Sequence, residues 1–282
     1  MSSSDQSQMG VALENQLENS NWWIREALLA IGLVAIILGS MWLSTGKFPP
    51  MVVIESTSMM HNEEGAIGVI DPGDLILVMD TERVEIVTFA EATDSENDNF
   101  GYESHGMPGD VIIFKKNGGT QTPVIHRAIL KAISNESGGW DIPGTNQRNV
   151  DSVTLEVDYE CSSYHGGKYF LRIENWEPSH EGFLTAGDNN GCMIDQPAAN
   201  GQGGGSGLFA DGQPVLAVKE EWIVGVASAE IPWIGAIKLL ASGTHDKVTQ
   251  STWINLTSVI FVIVTLPLIF DYLSWSSSDE EE

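Results

Sequence analysis

The chain has 282 residues, enough for one large domain or two small ones. Its 39 acidic residues against 13 basic ones leave a net charge of −26. A polyanion of this kind repels phosphates, which excludes nucleic acid as a partner and makes the acidity a bulk property of a solvated surface.

The first predicted element is a membrane-spanning helix over 26–46, preceded by an N-terminal tail, 1–25. No charged residue lies between Glu26 and Lys47, and about 20 apolar residues cross a hydrocarbon core roughly 30 Å thick. Trp22, Trp23 and Trp42 stand near its ends, where amphipathic rings favour the interface. A cleaved signal peptide is the alternative. The lack of a preceding basic cluster and the length of the run favour a retained anchor.

Residues 47–247 read mostly as strand. Apolar, β-branched runs recur at Met51–Ile54, Leu75–Val78, Val84–Val87, Val111–Phe114, Val124–Ile125, Tyr169–Ile173 and Val215–Val218, with Gly-Asp, Pro-Gly and Asn-Gly-Gly punctuation between them. No stretch shows sustained helical periodicity, so a mainly β domain is the economical reading. Residues 90–108, 134–150 and 196–214 look like surface insertions, the last carrying the linker-like Gly201–Gly207. Cys161 and Cys192 could pair if the domain is extracytoplasmic, or remain two unpaired small residues. Two distant cysteines and scattered histidines give no ligand spacing, so neither a metal nor an organic cofactor is expected.

A second uncharged run between Lys247 and Asp271 predicts a spanning helix over 248–271, with Trp253 at its entrance and Tyr272 and Trp275 at its exit. Pro267 is tolerable near the end of such a helix, and a buried core helix is the alternative. An acidic tail, 272–282, follows. Two spans would place both termini on one side and 47–247 on the other. Arg25 argues for a cytoplasmic N-terminus, while Lys47, Lys238 and Lys247 flank the opposite ends, so charge leaves the sidedness open.

Three patterns carry chemistry: Ser56-Thr57-Ser58-Met59 just after the first span, then Val124-Ile125-His126-Arg127, then Thr185-Ala186-Gly187-Asp188-Asn189-Asn190. A serine hydroxyl is a poor nucleophile until a base takes its proton, and histidine suits that task. A carboxylate commonly holds the imidazole in the right tautomer, and fixed donors must meet the developing oxyanion. His61 competes as base, although residues three apart on an extended strand point to opposite faces. Lys115 and Lys116 are further rivals, since a buried lysine can be deprotonated. Asp188 and Asp195 are the candidate acids, and either could instead be a turn residue.

In order and wording these blocks resemble the type I signal peptidases of the archaeal and endoplasmic-reticulum branch. Gly109-Asp110-Val111-Ile112-Ile113-Phe114 and Ile223-Val224-Gly225-Val226, followed by Ile231-Pro232-Trp233-Ile234-Gly235, add to the likeness. The resemblance implies a signal-peptidase-like β domain between two transmembrane α-helices. It also implies Ser58 as nucleophile, His126 as base where the bacterial branch has a lysine, and an oxyanion hole formed by the Ser56 hydroxyl and the Ser58 N–H. Asp195 is favoured as the orienting acid, with Asp188 supporting the site. Two departures stand out. Met60-His61 replaces the proline often found after the Ser-Met, and Asp195 follows Asp188 by one residue more than in the family, which leaves open which aspartate orients the histidine.

The expected protein is then a multi-pass cell-membrane serine endopeptidase with an extracytoplasmic catalytic domain, removing signal peptides from secreted or membrane preproteins. Its expected partners are those preproteins, the lipid bilayer and the protein-translocation machinery. The alternatives are a related membrane protease trimming a narrow set of surface-protein precursors, and a non-catalytic β scaffold of the secretion machinery.

Overall fold

The computed structural model describes residues 3–61, 66–162, 168–201 and 206–278, with side chains described at 22–61, 66–157, 170–201 and 206–270. The chain divides into two units, Met1–Pro50 and Met51–Glu282. The first is helix α1 (Ser3–Thr45) and the residues just after it. Its Trp22–Thr45 segment is long and apolar enough to cross a membrane. The stretch expected as an N-terminal tail is therefore helical from Ser3 onward.

The second unit is mainly β. Its elements are β1 (Met51–Val53), β2 (Leu75–Met79), α2 (Phe89–Thr93), β3 (Glu103–Ser104), β4 (Met107–Pro108), β5 (Val111–Phe114) and β6 (Val124–Ser134). They continue with β7 (Trp140–Asp141), β8 (Val153–Ser162), β9 (Lys168–Trp176), β10 (Gly182–Ala186), β11 (Phe209–Ala210), β12 (Gln213–Pro214) and β13 (Ile223–Ile231). Helices α3 (Gly235–Ser242) and α4 (Gln250–Ser278) close the unit. The principal sheet is antiparallel in the order β1-β2-β13-β5-β6-β10, with β7 also paired to β6. All four residues of β5 are buried, as a central strand covered on both faces requires. Ile112, Phe114, Phe183, Val218 and Val226 pack one core cluster, and Ile54, Met59, Ile70, Ile76, Val111 and Ala227 pack another.

Several stretches differ from the sequence expectation. Val84–Val87 forms no strand. Val87 is instead pinned to the loop before β5: its N–H donates to Asp110 Oδ2 at 2.9 Å and its carbonyl accepts from the Asp110 N–H at 2.8 Å. Val215–Val218 contributes only a bridge from Val218 to Phe183. The stretches expected as surface insertions reach the interior, sending in Ala90 and Ala92, Ile142, and Pro197 with Ala199. The short helices α2 and α3 break the all-strand reading of 47–247. A capping box in which Thr88 and Glu91 bond each other's backbone secures α2. Helix α3 turns Ala236 and Leu239 inward and leaves Ile237 and Leu240 exposed.

Gln250–Phe270 of α4 is also long and apolar enough to span a membrane. Thr252 and Leu256 in its first turns are buried, whereas Val259 through Val264 are exposed, so α4 is not a core helix of this fold. Cys192 is disulfide-bonded. The side chain of Cys161, the other cysteine weighed as a partner, lies outside the described residues, as do Asp279–Glu282 of the acidic tail.

Candidate active site

The nucleophile candidate sits on a turn rather than a strand. After β1 the chain leaves the sheet, and the Met60 N–H closes onto the Thr57 carbonyl at 3.2 Å. This turn separates two adjacent side chains. Met59 is 1% exposed in the cluster under β1, a burial worth about 1.5–3 kcal/mol, while Ser58 stays half-buried at the surface. The buried methionine is the anchor and the serine is what it presents.

A second loop grips this turn from outside. The Asn189 N–H donates to the Ser58 carbonyl at 2.8 Å, and Asn189 Nδ2 donates to the Thr57 carbonyl at 3.0 Å. Gly187 makes the approach possible, since a Cβ there would stand 2.7 Å from the Ser58 carbonyl oxygen.

His126 lies on β6 opposite Ile112 of β5, and it is 4% exposed. Its Nε2 is 3.0 Å from Ser58 Oγ and its Nδ1 is 2.6 Å from Asp195 Oδ2. A carboxylate can only accept, so Nδ1 carries the hydrogen and Nε2 is left as the acceptor for the Ser58 hydroxyl. Ser56 Oγ lies 3.1 Å from Ser58 Oγ. With the Ser58 hydrogen directed at Nε2, the Ser56 hydroxyl is the donor of that contact. Ser58, His126, Asp195 and Ser56, predicted as one site, are thus brought together from three separated parts of the chain.

Asp188 is placed elsewhere. The segment 187–193 is a loop whose ends pair through a bridge between Ala186 and Ile194 and a bond from the Asp195 N–H to the Thr185 carbonyl at 2.8 Å. Asp195 is therefore held by the arm that returns from the loop, and Asp188 belongs to the loop itself. Within this loop Gly191 and Cys192 both take left-handed backbone, at φ 63° each. Asp188 is 1% exposed and receives two bonds from Arg127, Nε to Oδ1 at 3.0 Å and Nη2 to Oδ2 at 2.7 Å. Arg127 is fully buried, and its Nη1 also donates to the carbonyls of Ser104 at 2.9 Å and Gly109 at 2.6 Å.

The rival bases fall away from the nucleophile. His61 Nδ1 is 3.2 Å from Asp188 Oδ2 and 3.2 Å from the Met59 carbonyl, on the Arg127 side. The turn, not the alternation of an extended strand, sends it there. Lys115 and Lys116 lie beyond the end of β5, where Lys115 is exposed.

Behind Arg127, the loop joining β3 to β4 holds His105. Burial, reinforced by the Arg127 charge, pushes its pKa down to about 4, so its ring is neutral. Burial also pushes the Glu230 carboxyl up; one of its oxygens accepts from the Gly68 N–H, and the other lies 3.9 Å from His105 Nδ1. A cavity of 550 Å³ is lined by Tyr102, His105, Asp110 and Val226, but not by Ser58, His126 or Asp195.

The sequence assigned no role to Arg127, Asn189 or Thr185, which contact Asp188, Ser58 and Asp195, or to Gln196, which reaches the site through Thr185. Thr185 Oγ1 is 2.6 Å from Asp195 Oδ2, and Gln196 lies against Thr185. Arg127 and Thr185 stood inside quoted motifs, so their nearness to His126 and Asp188 was the available signal; Gln196 had none. Comparison with known protein families, curated proteins and solved structures finds no match for this chain.

Proposed function

We propose that this chain is a membrane-anchored serine endopeptidase of the type I signal peptidase kind, with its β domain on the extracytoplasmic side. The observation that carries the reading is the unbroken run of contacts from half-buried Ser58 through His126 to Asp195, at 3.0 and 2.6 Å. In the proposed reaction Ser58 Oγ attacks the scissile carbonyl as its proton passes to His126 Nε2. The imidazolium so formed is stabilised by Asp195 through Nδ1–H. The oxyanion accepts hydrogen bonds from the Ser58 N–H and the Ser56 hydroxyl. His126 then protonates the leaving amine, giving an acyl-serine. A water takes the amine's place and attacks the acyl carbon as its proton passes to His126. The imidazolium returns that proton to Ser58 Oγ as the acyl C–O bond breaks, releasing the new carboxyl group and restoring the hydroxyl.

Other features favour a membrane-bound peptide as substrate. Strand β1 stands at the end of the sheet order directly before the nucleophile turn, where an extended peptide can add as a further strand. A signal peptide's apolar segment rests in the bilayer, so anchoring the enzyme there raises the effective concentration of the scissile bond. A decayed scaffold would have no call for a hydroxyl, imidazole and carboxylate held within hydrogen-bond reach.

The test is incubation of the purified protein in detergent with a model preprotein, followed by N-terminal sequencing of the product. Cleavage after small residues at the end of the apolar segment, lost in Ser58→Ala while the melting temperature is kept, is the expected result. A Ser58→Ala protein that cleaves as well as wild type removes the serine mechanism.

A further inference from the structure

We infer that Thr185, locked by Gln196, is a positioning residue that holds Asp195 for the His126 contact and sets how strongly the imidazole takes a proton. The inference rests on the serine-protease reading of the site. It begins with Gln196, which is 1% exposed and spans Thr185: its Oε1 is 3.0 Å from the Thr185 backbone nitrogen and its Nε2 is 3.2 Å from Thr185 Oγ1.

The direction of every hydrogen follows from elementary donor and acceptor rules. A backbone N–H can only donate, so the Gln196 oxygen must face the Thr185 nitrogen. The Gln196 amide nitrogen therefore faces Thr185 Oγ1 and donates to it. The threonine's single hydrogen is then left for its other neighbour, Asp195 Oδ2, at 2.6 Å. That same oxygen receives the His126 Nδ1–H at 2.6 Å. One polarised line runs from Gln196 through Thr185, Asp195 and His126 to Ser58.

The surroundings make this line rigid. Thr185 is fully buried on β10, where a register shift between Leu184 and Thr185 interrupts the pairing with β6. The Asp195 N–H bonds back to the Thr185 carbonyl at 2.8 Å, so the two residues are joined by backbone as well as side chain. A second donor on Oδ2 does two things. It fixes the carboxylate rotamer, and it draws off some of the negative charge that would otherwise stabilise a charged imidazole.

The experiment compares Thr185→Val, Thr185→Ser and Gln196→Glu in the full chain in detergent micelles. It uses preprotein cleavage across pH and the downfield proton resonance of the His126 Nδ1–H. Valine keeps the shape of threonine without the hydroxyl. We expect kcat to fall about 10- to 100-fold, the worth of a hydrogen bond to a charged group, with KM little changed. The acidic limb of the pH profile should move to higher pH, because a carboxylate with one donor fewer holds the imidazolium more tightly. Serine should restore both. Gln196→Glu should imitate valine although Thr185 is intact, since the glutamate's second oxygen draws the threonine hydrogen away from Asp195; it also serves if the valine variant does not fold.

An acidic limb left in place overturns the inference, whether kcat is unchanged or falls only in step with melting temperature. If Ser58→Ala cleaves like wild type, the protease reading fails instead. The imidazole resonance then decides alone: its displacement in Thr185→Val and recovery in Thr185→Ser uphold the line of bonds, and an unmoved signal ends it.

Discussion

His126 and Arg127 stand side by side on β6, and each meets an aspartate carried by the segment after β10. His126 lies 2.6 Å from Asp195, and Arg127 lies 2.7 Å from Asp188. Adjacent strand residues point to opposite faces, so one segment serves two separate pairs. Around Arg127 the donors are consumed by Asp188 and by backbone carbonyls, and a guanidinium does not give up its proton. Asp195 Oδ2 accepts from the Thr185 hydroxyl and the His126 imidazole, whose hydrogens can be redirected, and the line ends at the half-buried Ser58. The difference lies in what surrounds each carboxylate. Asp188 takes two bonds from the permanent charge of Arg127, with the His61 imidazole beside it, whereas Asp195 joins a line of hydroxyl and imidazole that ends at Ser58 and allows proton transfer.

The sharpest break is Asp195→Asn. An amide cannot hold the imidazole in the same tautomer, and the rate should fall by about 10⁴, as expected when a serine protease's orienting carboxylate becomes an amide. The melting temperature should stay near wild type. Asp188→Asn should act the other way round. It leaves the Arg127 charge buried and underpaired, which costs about 3–5 kcal/mol and lowers melting by roughly 5–15 °C. Activity should fall with it, because the same loop grips the Ser58 turn. If Asp188→Asn is inactive yet fully stable while Asp195→Asn is nearly normal, the two carboxylates have been given each other's tasks.

The smallest effect concerns pH on the Arg127 side. His105 in the folded protein has its pKa pushed down to about 4 from 6.5. Above the unfolded value both states are neutral and His105 adds nothing to the pH dependence. Between about 6.5 and 4 the unfolded chain binds a proton that the folded one refuses, so stability is lost as pH falls. Asp74, Asp110 and Glu230, each pushed up chiefly by burial, contribute with the opposite sign. The measurement is therefore a difference between variants. His105→Asn, which tolerates the positive φ of 51° at this position, should lose less melting temperature than wild type between pH 6.5 and 4. An equal loss in both would show that His105 is not held neutral by its surroundings.

Much of the architecture was legible because it is local chemistry. An uncharged run before Lys47 and another after Lys247 give helices long enough to span a membrane, and runs such as Leu75–Val78 and Val111–Phe114 became strands. Val84–Val87, apolar but for Glu85, formed none and is tied instead to Asp110. Ser58 and His126 could be named from their neighbours in sequence, and Asp195 only as one of two candidate acids. Gln196 could not, because its role depends on facing the backbone of Thr185 across a loop.

The residue types and their order, together with the acidic surface and the two apolar helices, are properties of the chain as written, because charge, hydropathy and hydroxyl or imidazole chemistry travel with each side chain. Which aspartate meets which base was decided only on folding. The Ala186–Ile194 bridge closes the loop, so Asp195 lands beside Thr185 while Asp188 stays in the loop against Arg127. Hydrogen bonds act over about 3 Å, and residues some 70 positions apart reach that distance only when a sheet brings them there.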